Sequence, residues 1–109
     1  MSYGVKVFSV DLLTSQTTTV TGETHEPFGR TRSFSAYGAT SAAAGAVVVT
    51  IEVSNNNSVW LTLGTISLTL GVTVTQDGFS SETPWRYVRA KISSISGTNA
   101  TVTVNMGTA

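Results

Sequence analysis

The chain has 109 residues, with six Lys or Arg against six Asp or Glu, a net charge of zero and no cysteine. One domain fits this length. The missing basic field argues against nucleic acid as a partner, and the missing thiols exclude disulfides and thiolate metal sites. Charged residues make up 11% of the chain, against about 25% in ordinary domains, so much of the surface is expected to be covered by neighbours.

Val, Ile and Thr are stiff at χ1 and suit a pleated surface, so a chain rich in them, with ten Gly and two Pro, predicts strands and tight turns. Residues 1–13 do not read as a secretory signal, and no run of about 20 apolar residues is present, so neither export nor a membrane is expected. Residues 3–13 (YGVKVFSVDLL) place Val5 and Val7 opposite Lys6, Phe8 and Val10, a strand with two covered faces. Residues 14–30 combine a Thr run lacking core side chains with the turn-rich TGETHEPFGR, and predict an exposed arm or long loop. In residues 31–38 (TRSFSAYG), Phe34 and Ala36 are set on one face against Arg32, Ser33 and Ser35, giving a strand; the alanine-rich residues 39–45 are expected to be loop.

The cleanest alternation is in residues 46–54, where Val47, Val49, Ile51 and Val53 share one face of a central strand. Asn55, Asn56 and Asn57 then make a hairpin turn to residues 59–63. Gly64 interrupts that strand, and residues 65–75 resume it with a change of phase at Gly71 from Ile66, Leu68 and Leu70 to Val72 and Val74. Asp77-Gly78 marks a turn, Pro84 opens a long strand over 85–96, and Gly97-Thr98-Asn99 turns into a last strand over 100–106. About six or seven strands at this spacing predict an all-β fold, a single antiparallel β-sandwich of jelly-roll or immunoglobulin-like type, with an extended N-terminal arm. The expected division is residues 1–30 as strand and arm and residues 31–109 as the sandwich domain.

No catalytic constellation stands out. His25 is the single histidine, in Glu23-Thr24-His25-Glu26, and a loop flanked by Gly and Pro gives no rigid frame for a metal. There is no GxSxG elbow, the carboxylates Glu23, Glu26, Glu52, Asp77 and Glu82 have little cleft to work in, and the loop from Asp77 to Glu82 lacks calcium-loop spacing. No enzyme activity, cofactor or metal is expected. The binding candidates are aromatic and basic. Trp60 and Trp85 are large rings able to stack on a ligand or fill a core. Arg86 and Arg89 stand on the strand from 85, Arg30 and Arg32 flank the arm, and Glu52 and Asp77 are the carboxylates that an arginine fork would seek.

The run VTIEVSNNNSVWLTLGTISLT followed by TPWRYVRAKISSISGTNATVTVNMG resembles a pattern of small virion proteins of tailed phages. There a hairpin ending in Trp precedes a Trp-x-Tyr-Val-Arg-Ala strand and a Gly-tipped final hairpin. The likeness covers roughly residues 34–107, rests chiefly on Trp85 to Ala90, and transfers no functional residue. It implies a structural protein of the particle, made in the host cytoplasm. A capsid decoration (cement) protein is the first expectation, a homotrimer bound to the major capsid protein or other virion proteins. The alternative is a tail, neck or fibre-associated structural or glycan-binding module, since similar motifs occur in tail-associated and sugar-binding sandwiches.

Overall fold

The computed structural model describes residues 8–109; the expected strand positions before Phe8 lie outside the described residues. Among the described residues there are eight strands: β1 (Phe8–Gln16), β2 (Val20–Thr21), β3 (Arg32–Ala39), β4 (Ala42–Ser54), β5 (Leu61–Leu70), β6 (Thr75–Ser81), β7 (Tyr87–Thr98) and β8 (Thr101–Thr108). They form two antiparallel sheets of four, ordered β1-β8-β3-β6 and β2-β7-β4-β5. The all-β expectation and the two-sheet antiparallel arrangement hold. Alternation fills the space between the sheets: Val47, Val49, Ile51 and Val53 of β4 meet Phe34 and Ala36 of β3 and Val102, Val104 and Met106 of β8 in one buried core.

Of the two forms expected for residues 14–30, an exposed arm or a long loop, the structure shows a mostly exposed loop that is hydrogen-bonded to its own sandwich. β1 pairs with β8 through Gln16, β2 pairs with β7, and both backbone polar groups of His25 bond Val88. Two register shifts in β1 and a left-handed Ser15 (φ 46°) bend the strand. Through that bend, consecutive Leu12 and Leu13 both become buried, which strict alternation forbids. The Thr run lacks core side chains and is exposed, following directly on the strand that buries the two leucines.

Several expected turns are strand. Ala42–Gly45 belongs to β4, with a register shift before Ala46 and a left-handed Ala43 (φ 59°). Gly64 does not interrupt β5: it faces Ile51, and a Cβ there would stand 2.7 Å from the Phe79 ring, so the missing side chain is what admits that ring. Asp77-Gly78 lies inside β6, where a Cβ on Gly78 would stand 2.3 Å from the Phe34 carbonyl oxygen. β5 ends at Leu70, so Val72 and Val74 stand in the following loop, 68% and 60% exposed, with no change of phase inside a strand. The hairpin turn over 55–57 is where expected, with left-handed Asn57, and joins the paired β4 and β5. The hairpin expected at Gly97 to Asn99 is instead a crossing between the sheets, with left-handed Gly97 and Asn99, because β7 and β8 lie in different sheets and do not pair.

Candidate functional site

Five of the six candidate residues converge on one end of the sandwich, where the loop after β4 meets the segment entering β7. That loop is bonded to itself. The Ser54 hydroxyl accepts the backbone N–H groups of Asn56 and Asn57, and the Asn56 side-chain oxygen accepts those of Ser58 and Val59, all within 2.9–3.2 Å. The loop leads directly into Trp60. On the outer face of the second sheet, Glu52 and Arg89 are direct cross-strand partners. Arg89 Nε donates to Glu52 Oε1 at 2.8 Å, and its guanidinium lies 4.0 Å from the centre of the Trp60 ring. One face of the half-buried Trp60 is therefore covered by a neutralised cation.

Arg86 lies beside this stack. Its guanidinium is 5.1 Å from the Tyr87 ring centre and reaches Glu26 at 4.0 Å, both side chains well exposed, an ion pair of small energetic value. Its backbone N–H donates to Asn55 Oδ1 at 3.4 Å. Trp85 is half-buried and packs against the core.

Arg32 differs most from expectation. Alternation puts it in phase with Phe34 and Ala36, and it is 3% exposed. Its guanidinium donates to three backbone carbonyls: Trp85 at 2.5 Å, Pro27 at 3.2 Å and Gly29 at 3.3 Å. Nε is buried without a partner. Burial pushes its pKa down, yet an arginine stays charged in proteins. Arg32 thus ties the loop before β3 to the segment entering β7 at Trp85, and takes no carboxylate. Asp77, the other expected arginine partner, accepts the N–H of Gly78 instead. Arg30 is exposed and joins none of these contacts. Among the described residues no group of three His, Asp or Glu side chains converges as a metal site.

Two small clefts flank the cluster. One of about 210 Å³ is lined by Asn55, Thr83, Pro84 and Trp85. The other, also about 210 Å³, runs beneath Phe8, Val10, Pro27, Phe28 and Met106, with His25 and Glu26 among its walls; the Phe8 and Phe28 rings meet edge to face at 5.0 Å. Sequence reasoning had found the tryptophans and arginines but not Asn55 or Thr83 as wall residues. No family model, no curated protein and no solved structure matches this chain.

Proposed function

We propose that this chain is a non-enzymatic structural protein of a tailed-phage particle, a capsid decoration (cement) protein that binds between subunits of the major capsid protein and stabilises the shell by the surface it buries there. The observation that carries this reading is the pairing of very low charge with exposed large apolar side chains at three places: Phe8, Val10 and Phe28; Val59 and Leu61; and Val72 and Val74. Grouped apolar side chains left uncovered mark contact surfaces. The strand order supports the reading at the level of fold analogy. Interleaved sheets β1-β8-β3-β6 and β2-β7-β4-β5 have the order of a jelly roll rather than of an immunoglobulin sandwich, and jelly rolls recur in viral capsid and lectin domains.

With residues 8–30 bonded to their own sandwich, attachment runs through edge strands and these apolar side chains rather than through a long free arm. The working assembly is a homotrimer on the virion. The test is co-sedimentation of the purified protein with phage shells that lack it: saturable binding, weakened by Val72→Asp with Val74→Asp, supports the reading, and absence of binding overturns it.

A second reading, a glycan-binding module of the tail or a fibre, is favoured by one observation. Trp60 and Trp85 are both only half-buried beside polar loop residues, whereas a pure cement role expects them covered.

A further inference from the structure

We infer that the cleft walled by Asn55, Thr83, Pro84 and Trp85 is a binding site for one neutral pyranose unit of a glycan, an inference that rests on the second, glycan-binding reading. Four residues form its wall, none of them charged, which suits a ligand without charge. Its volume of about 210 Å³ lies below the range of about 300–1,000 Å³ typical of drug-sized ligands and suits a single sugar ring. Trp85 lines the cleft while packing partly against the core, and an indole is the apolar surface on which the C–H face of a pyranose packs, while the sugar's hydroxyls need hydrogen-bonding groups around the rim. Asn55 provides them: its Oδ1 is held by the N–H of Arg86, which leaves its side-chain NH₂ group to donate outward.

The walls are fixed before any ligand arrives. Thr83 takes the Ser81 hydroxyl on both its backbone N–H and its own hydroxyl, and the Trp85 N–H donates to the Thr83 carbonyl at 3.0 Å. The Trp85 carbonyl is gripped from behind by the buried Arg32. On the facing wall, Ser54 and Asn56 hold four N–H groups of the loop that carries Asn55. The backbone of Trp85 is thus fixed by the same buried guanidinium that holds Pro27 and Gly29, and pre-positioned walls are what a weak polar ligand needs to bind at all. Trp60 is a poorer platform, because Arg89 already occupies one of its faces.

The test is tryptophan fluorescence of the full chain titrated with neutral di- and trisaccharides of glucose, galactose and N-acetylglucosamine, with sialyllactose as the acidic comparison. At least one neutral sugar is expected to shift the emission saturably. Asn55→Ala, an exposed substitution, is expected to weaken that binding about tenfold, and Trp60→Ala to leave it unchanged. Binding lost in Trp60→Ala but kept in Asn55→Ala would overturn the site while keeping the glycan reading. Binding of sialyllactose alone would overturn the neutral ligand, and no response to any sugar would overturn both the site and the glycan reading.

Discussion

The Arg32 guanidinium and the Trp85 carbonyl, 53 residues apart in sequence, form a 2.5 Å hydrogen bond that joins the first residue of β3 in one sheet to the entry of β7 in the other. The same guanidinium holds Pro27 and Gly29. Three loop carbonyls thus depend on one side chain.

Replacing Arg32 by Ala is expected to lower unfolding free energy by about 3 kcal/mol, because it strands buried carbonyls and leaves a void. Arg32→Lys should recover little, since an ammonium cannot reach three carbonyls with the spread of a guanidinium fork. Urea denaturation followed by circular dichroism measures both.

Deletion of residues 1–30 is expected to abolish the cooperative thermal transition. It removes β1 and β2, leaves one backbone edge of β8 unpaired, and takes Leu12 and Leu13 out of the core. A truncated chain that still melts cooperatively would show that the sandwich closes without them.

Glu52, Arg89 and Trp60 are expected to couple. A double-mutant cycle on Glu52→Ala and Arg89→Ala should give about 1 kcal/mol of interaction, since the pair is only partly exposed. The cycle on Arg89→Ala and Trp60→Ala should give about 0.5–1 kcal/mol from the stacked guanidinium. Raised salt should reduce the first more than the second.

Two glycines separate steric need from mere turn preference. Gly78→Ala would press a Cβ to 2.3 Å from the Phe34 carbonyl oxygen, whereas a Cβ at Gly71 meets nothing within 4 Å. The first substitution should cost about 2 kcal/mol or more and the second well under 1 kcal/mol. Thermal melts of the two variants provide the comparison.

Much of the sandwich could be read from alternation. β4 announces itself through Val47, Val49, Ile51 and Val53, and the turns at Asn57 and Gly97 through residues that accept left-handed backbone. Alternation also suffices to bury Arg32, which shares parity with Phe34 and Ala36; its charge argues for solvent, and only the three loop carbonyls brought to it by the fold reverse that. Other features carry no local signal. Asp77-Gly78 has turn chemistry, but a neighbouring strand that needs the missing Cβ places it in β6. The paired burial of Leu12 and Leu13 depends on irregular register against β8, a long-range relation. At the candidate site, Trp60, Trp85, Arg86 and Arg89 were legible as residue types. Their stacking and the wall formed by Asn55 and Thr83 arise only when the end of β4 is brought against the entry to β7.

The most direct test of the decoration role is the melting temperature of phage shells lacking this protein, measured by scanning calorimetry with and without it, alongside its mass in solution by light scattering. The account predicts a trimer that saturates the shells and raises their melting temperature. A monomer that leaves the shell transition unchanged at saturating concentration would contradict it.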